Sequence, residues 1–240
     1  MANDLQKWID EQTGLTKLYV HDFKNPVSAI SANLSYLEAV LTDAEEDVLG
    51  AVQDSSVAMR MLLHMLDNFL NISRLESREP VESVPVPLSR FMDETMNRIR
   101  RMFTSPEPRL TVQGQVPDEM CSWPATYVRI AVENLLLQSL HNTPASGAVA
   151  YQVALDNDMV VFTVTDTGVT IAPEYYDVTF TREFQHVAKS NEHARYGRAM
   201  AMYAVGLAAE VLGGSVKVEK VNDRQQFVLK LPDEIEMRPS

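Results

Sequence analysis

Cysteine is almost absent from the 240-residue chain, which contains only Cys121. A single cysteine excludes an intramolecular disulfide and is typical of a reducing compartment, so we expect a cytoplasmic protein in which Cys121 is a small buried side chain. No stretch approaches the roughly 18 apolar residues that a membrane-spanning helix needs. The first residues also lack the basic and apolar regions of a signal peptide. The sequence therefore predicts neither a membrane span nor a secretion signal.

Positive charge is also scarce. The chain has 21 Lys and Arg residues against 33 Asp and Glu residues, which gives a formal net charge of -12. This acidity disfavours nucleic acid as a partner, and we interpret Arg98, Arg100 and Arg101 as a solvated helix face. The histidines show no metal-ligand spacing, so no metal site is predicted from them.

Apolar residues recur at alternating spacings of three and four in the first third of the chain. This pattern predicts two amphipathic helices with coiled-coil-type seams. The first helix is predicted over 3–41, with a bend near Pro26, and the second over 44–77, with His64 packed near its seam. The first seam consists of Val20, Phe23, Val27, Ile30, Leu34, Leu37 and Leu41. The second consists of Val48, Val52, Ser55, Met59, Leu62, Leu66 and Phe69.

Two such helices joined by a short turn form a hairpin. A single hairpin leaves one side of each seam in water, so we expect a homodimer in which two hairpins make a four-helix bundle. The alternative is a hairpin that packs only on the C-terminal part of its own chain.

Three prolines within eight residues at 80–87 predict an extended linker. The domains are therefore predicted as a helical hairpin at 1–79, a linker at 80–87 and a second domain at 88–240. Helices packed on a mixed sheet make this second domain an α+β sandwich. Its helices are predicted at 88–103, 127–141 and 198–212, and its strands at 109–116, 149–155, 159–165, 215–221 and 225–231, with an irregular segment at 172–197.

The segment 21–26, with the sequence HDFKNP, combines groups that suit phosphoryl chemistry. His21 lies one position off the first seam, and Asn25 follows one turn later on the same helix face. The segment resembles the phosphoacceptor box of bacterial sensor histidine kinases, and the resemblance covers roughly residues 10–232. It implies that His21 accepts a phosphoryl group, that Asp22 orients His21 or takes its proton, and that Asn25 positions the incoming group or a water.

The same resemblance implies an ATP-binding domain in the second half of the chain. In this family a helix carries two asparagines, the second of which holds magnesium. Here Asn134 is the first, and Gln138 stands at the magnesium position. Asp166 and Gly168 match the aspartate and first glycine of the adenine-binding motif, and Gly197 is the one glycine left from the phosphate-binding loop.

The chain departs from the family pattern at each of these nucleotide motifs. Gln138 displaces the amide oxygen by about one bond length, and magnesium demands near-ideal octahedral geometry. Thr170 replaces the second glycine of the adenine motif, and Ala199 and Ala201 stand where phosphate-loop glycines are expected. Added Cβ atoms occupy the space that phosphate oxygens need. ATP binding is therefore predicted to be weak or absent, and no cofactor is expected.

Three hypotheses follow from an intact phosphoacceptor box beside an altered nucleotide site. The first is a phosphotransfer protein that relays phosphoryl groups through His21 to or from response-regulator receiver domains. The second is an active, divergent histidine kinase, which would need ATP and magnesium. The third is a non-enzymatic regulator that binds a histidine kinase or a response regulator. The first is preferred because the box is complete and the glycine-rich loops are not.

Overall fold

The computed structural model of the chain describes residues 2–102, 110–144, 146–184 and 198–235. Helix α1 (Ala2–Val40) and helix α2 (Glu46–Glu76) pack against each other as the predicted hairpin. Their bounds differ from the predicted 3–41 and 44–77 by one or two residues, and Pro26 lies inside α1. Acidic residues fill the first turn of α2, where they favour the positive end of the helix dipole.

The second domain contains three helices and seven strands in the described residues. The helices are α3 (Leu88–Met102), α4 (Ala125–Asn142) and α5 (Arg198–Val211), with a 3-10 turn at Pro173–Val178. The strands are β1 (Val84–Pro87), β2 (Leu110–Val112), β3 (Met120–Trp123), β4 (Val149–Asp156), β5 (Met159–Asp166), β6 (Ser215–Val221) and β7 (Arg224–Pro232).

The main sheet has five strands in the order β2-β4-β5-β7-β6. Strand β2 runs parallel to β4, and the other neighbours are antiparallel, so the predicted mixed sheet is confirmed. Strand β2 is shorter than the predicted 109–116, of which residue 109 lies outside the described residues.

The predicted linker is not free chain at its C-terminal end. Strand β1 pairs antiparallel with β3, with Val84 opposite Trp123 and Pro87 opposite Met120. Proline has no amide hydrogen to donate, but its fixed φ suits extended chain at a sheet edge, which is why a proline-rich segment forms a strand here. The extended chain predicted over 80–87 is therefore present at Val84–Pro87, where it is also paired as a strand.

The core of the second domain lies between the sheet and helices α3, α4 and α5. Trp123 is fully buried, packs edge-to-face on Phe91 and donates its indole N–H to the carbonyl of Pro232 at 2.8 Å. Cys121 is fully buried, as predicted, and burial raises the pKa of its thiol to about 11. Helix α4 is buried along almost its whole length because α5 and the sheet both contact it.

Glycines fix the position and the end of α5. A Cβ at Gly206 would lie 2.1 Å from the carbonyl oxygen of Phe180, so glycine permits the helix to approach the segment after the 3-10 turn. The predicted helix end at Gly213 is confirmed. Gly213 has φ +71°, and the amide of Gly214 donates to the carbonyl of Ala209 at 2.8 Å, which closes the helix.

Candidate functional site

His21 lies on α1 with its side chain 74% exposed, on the outward face that the sequence predicts. Its Nδ1 lies 3.4 Å from Oδ1 of Asp22, and Asn25 is also exposed one turn later. The neighbouring Val20 is buried. The seam therefore holds the helix while the imidazole projects into solvent, where a second protein can reach it.

The contact with Asp22 has a chemical consequence for the imidazole of His21. A carboxylate accepts a hydrogen bond, so Nδ1 carries the hydrogen in this contact. The lone pair is then on Nε2, which points away from Asp22. A carboxylate in this position favours one tautomer of the histidine. In that tautomer Nε2 is the ring nitrogen that keeps its lone pair.

The residues predicted for the adenine end of a nucleotide site form a tight turn after β5. Asp166 is buried, and its Oδ1 accepts the amide hydrogen of Gly168 at 3.0 Å. A Cβ at Gly168 would lie 2.5 Å from the carbonyl oxygen of Asn142, so the turn requires glycine. Thr167 Oγ1 accepts the amide hydrogen of Ala148 at 2.9 Å, which ties the turn to β4. The carboxylate of Asp166 supplies an acceptor of the kind that an adenine amine needs.

The residues predicted for the phosphate end of the nucleotide do not form an open glycine-rich loop. Ala201 is fully buried, and Ala199 packs against the core, so both lie in the first turn of α5 and not in an open loop. Gln138 is buried on α4, and its backbone carbonyl accepts from the side chain of Asn142 at 2.7 Å. Gly197 lies outside the described residues. The residues present thus suit one end of ATP and not the other.

Asn134 makes contacts that the sequence analysis missed. Its side-chain amide forms a reciprocal pair with the amide of Asn68 on α2, with both N···O distances at 2.9 Å. His64 Nε2 lies 2.9 Å from Oδ1 of Asn134 and 3.1 Å from Nδ2 of Asn68. The side chain of Asn134 also donates to the carbonyl of Ile130 at 2.9 Å. The amide predicted for the nucleotide site therefore joins the second domain to the hairpin.

A polar cavity of about 260 Å³ surrounds this amide pair between α2, α3 and α4. Arg98 Nε lies 2.5 Å from Oε1 of the nearly buried Glu133, and Nε of Arg129 lies 4.0 Å from the same oxygen. Burial raises the pKa of Glu133, and the two guanidinium groups oppose that rise. The prediction that Arg98 lies on a solvated helix face is confirmed, since its side chain is 47% exposed, and its guanidinium also pairs with Glu133 at the wall of this cavity.

A second group of contacts joins the end of α2 to α5. The hydroxyl of Tyr203 donates to Oε1 of Glu76 at 2.8 Å, and Arg182 pairs with the same carboxylate while stacking 5.7 Å above the Tyr203 ring. Arg78 also pairs with Glu210 at 3.1 Å. Since these groups are largely exposed, salt screens them, and each contributes no more than about 1 kcal/mol.

His64 gives the contact between the two parts of the chain a pH dependence. Burial lowers the pKa of its imidazole below 6.5 and Arg98 acts in the same direction, while the hydrogen bond to Asn134 and the charge of Asp67 oppose them. A lowered histidine pKa means that the packed state favours the neutral ring, so the stability contributed by His64 is lost as the pH falls below about 6.5.

We therefore expect the unfolding midpoint to fall between pH 7.5 and 5.5 more in the wild type than in a His64→Gln variant. Glutamine replaces the imidazole with an amide, which can still form hydrogen bonds in the cavity but does not titrate. The raised pKa of Glu133 has the opposite sign and is common to both proteins. Thermal unfolding at matched ionic strength measures the difference, and parallel pH profiles would contradict the expectation.

The sequence contains a weak signal for the cluster of His64, Asn68 and Asn134. His64 and Asn68 are four residues apart beside the apolar seam of α2, where polar side chains need partners once they are buried. The sequence does not identify the partner of Asn68, because Asn134 lies 66 residues further along the chain.

Comparison with known proteins agrees with this architecture. The family described as "Histidine kinase-, DNA gyrase B-, and HSP90-like ATPase" matches residues 125–235. The chain is 24% identical over 233 residues to the circadian input-output histidine kinase CikA of Synechococcus elongatus, covering 92% of this chain and 30% of that protein. It is 21% identical over 217 residues to the sensor protein SrrB of Staphylococcus aureus, covering 88% of this chain and 36% of that protein.

A solved structure of full-length ShkA in complex with AMPPNP has the same fold, with a TM-score of 0.60 and 18% identity. The match covers 95% of this chain and 47% of that one. Residues 125–235 therefore match the histidine kinase-, DNA gyrase B- and HSP90-like ATPase family, and together with the hairpin they resemble the core of sensor histidine kinases. The chain spans about a third of the length of CikA and SrrB.

None of the helices in the described residues is long and apolar enough to cross a membrane. The His, Cys, Asp and Glu side chains of the same residues form no group of three or more that suits a metal ion.

Proposed function

We propose that the chain is a two-component phosphotransfer protein that relays phosphoryl groups through His21 to or from receiver domains, with weak or no ATP binding. The observation that carries the proposal is an exposed His21 whose Nδ1 lies against Asp22, on the same chain as a nucleotide site that is altered at its phosphate end. The similarity to CikA and SrrB supports a signalling role of this class.

In the proposed reaction the lone pair on Nε2 of His21 forms the N–P bond as the P–O bond to the receiver's aspartate breaks. The receiver's carboxylate leaves with the electron pair. The substituted imidazole gains positive charge, which the Asp22 carboxylate stabilises through the Nδ1 hydrogen or removes by accepting that proton. Asn25, exposed one turn later, donates its amide hydrogens to the phosphoryl oxygens, and the receiver supplies its own magnesium.

Incubation with receiver domains carrying labelled phosphate tests the proposal. We expect label to appear on the chain and an Asp22→Asn variant to slow transfer by about 10²-fold, the lower end of general acid–base contributions, with receiver affinity unchanged. An exposed Asp54→Asn change on α2 is the matched control. Equal transfer rates in the Asp22→Asn variant and the wild type would refute the role given to Asp22.

We also propose that the hairpin forms a homodimer. Seam residues remain in water in the single chain, including Phe23 at 61% and Phe69 at 47% exposure. Each large apolar side chain contributes about 1.5–3 kcal/mol when buried. Sedimentation at micromolar concentration is expected to give twice the 27.0 kDa chain mass, and a Phe23→Glu, Phe69→Glu double variant is expected to sediment as the monomer. A wild-type monomer would contradict the proposal.

An active histidine kinase is the second candidate, and one observation favours it. Asp166 and Gly168 keep the geometry of an adenine-binding turn, within the segment that matches the ATPase family. Labelling of His21 by ATP in the absence of any receiver would select this candidate over the phosphotransfer proposal.

A further inference from the structure

The amide of Asn134 is committed to a contact outside the nucleotide site. It forms two hydrogen bonds with the amide of Asn68, and its Oδ1 also lies within hydrogen-bond distance of His64 Nε2. These contacts cross the boundary between the hairpin and the second domain. Asn68 is 2% exposed and Asn134 1% exposed, so the pair is fully removed from water. Separating two buried amides leaves each without its hydrogen-bond partner, which is unfavourable in free energy. Such a pair therefore favours one arrangement of the hairpin and the second domain.

The amide pair lies close to the level of His21 in the hairpin. Asp67, in the wall of the same cavity, pairs with Lys24, which follows His21 by three residues on α1. The second domain is therefore packed on α2 beside the turn of α1 that carries the phosphoacceptor. His21 itself stays exposed in this arrangement.

A receiver domain needs more surface than the imidazole alone. A specific interface takes about 800 Å² from each partner, which as a circular patch extends about 16 Å from its centre. A patch of that size centred on His21 includes the Lys24–Asp67 corner, where the packed second domain stands. A receiver whose contact surface extends to this corner would meet the packed second domain.

We propose that the His64, Asn68 and Asn134 cluster is an interdomain lock that holds the second domain on α2 and restricts the access of a receiver domain to His21. The lock itself follows from the contacts, whereas its effect on access rests on the proposed function. In this inference Asn134 serves as the second domain's half of the lock and not as a nucleotide ligand. Two further ion pairs, Glu76 with Arg182 and Arg78 with Glu210, lie at the C-terminal end of α2. They add a salt-sensitive contribution to the same docking.

Amide hydrogen exchange on the full chain tests the lock. In an Asn68→Ala variant we expect exchange to accelerate by about 5- to 150-fold in peptides that cover 62–72 of α2 and 127–136 of α4, because a buried amide has lost its partner. Exchange in β4 and β5 should not change. A Gln53→Ala variant, with an exposed amide on the same helix, is the matched control and should match the wild type.

A double-mutant cycle shows whether the two asparagines act as a pair. We expect the Asn68→Ala, Asn134→Ala double variant to exchange no faster than the faster single variant. Asn68→Ala leaves the sequence of the second domain unchanged. It therefore still tests the lock if the Asn134→Ala variant fails to fold. Unchanged exchange in both helices would overturn the lock. Equal acceleration in β4 and β5 would also overturn it, because the pair would then serve global stability.

Transfer kinetics test the effect on access separately. With a labelled phosphorylated receiver, Asn68→Ala is expected to raise the rate of label transfer to His21 by a factor similar to that seen in exchange. Faster exchange with an unchanged transfer rate would overturn the restriction of access. Absence of label from the wild type and from every variant would refute the proposed function, while the exchange results still decide the lock.

Discussion

Replacing His21 with alanine is expected to reduce phosphoryl transfer from a phosphorylated receiver domain to the background level. The side chain supplies the nucleophilic nitrogen, and neither neighbour replaces it, because Asp22 lies on the Nδ1 side of the ring and not at the position of Nε2, and the amide of Asn25 is a poor nucleophile. The fold should not change, since His21 is exposed and off the seam, and surface substitutions usually alter stability by within about 0.5 kcal/mol.

The measurement for His21→Ala is label retained on the chain after separation from the receiver, with circular dichroism as the test of folding. A Ser28→Ala variant, exposed two turns further along α1, is the control and should transfer at the wild-type rate. Label that persists on the His21→Ala variant would show that another residue is the acceptor.

Nucleotide binding is expected to be weak, with a dissociation constant for ATP-magnesium above about 1 mM, equivalent to less than about 4 kcal/mol. The buried Ala201 and the packed Ala199 begin α5 where the family has a flexible glycine-rich loop. Gln138 replaces the magnesium-holding asparagine, and Thr170 replaces a glycine of the adenine motif. Calorimetry on the full chain measures the affinity directly.

A restored variant sharpens this prediction. Changing Gln138 to Asn, Thr170 to Gly, and Ala199 and Ala201 to Gly should increase ATP affinity at least about 10-fold, which corresponds to about 1.4 kcal/mol. Asp166→Ala in the restored chain should remove the gain, because it deletes the carboxylate at the adenine end. Micromolar affinity in the wild type would instead favour the active kinase.

Much of the fold was predictable because its signals are local. The three–four spacing of apolar residues set both helices of the hairpin, and alternation set β4 and β5 within one residue of their observed bounds. The pairing of β1 with β3 was not predictable. Its prolines argue against a strand, and its partner lies more than thirty residues away.

Part of the candidate site was predictable from local sequence, and part of it was not. His21, Asp22 and Asn25 form a linear motif on one helix face, so their shared exposure follows from helical spacing. The contacts of Asn134 with His64 and Asn68 depend on how two domains pack, and no local pattern encodes that arrangement. Residues assigned from a motif can therefore be in the predicted place and still have different partners.

Paired labelling experiments most directly test whether phosphoryl groups reach His21 from a receiver and not from ATP. The wild-type chain is incubated in parallel with labelled phosphorylated receiver domains and with labelled ATP-magnesium, and label on His21 is followed over time. We predict label from a receiver and none above background from ATP. Label from ATP alone, with none from any receiver in the host's complement, would contradict the phosphotransfer function.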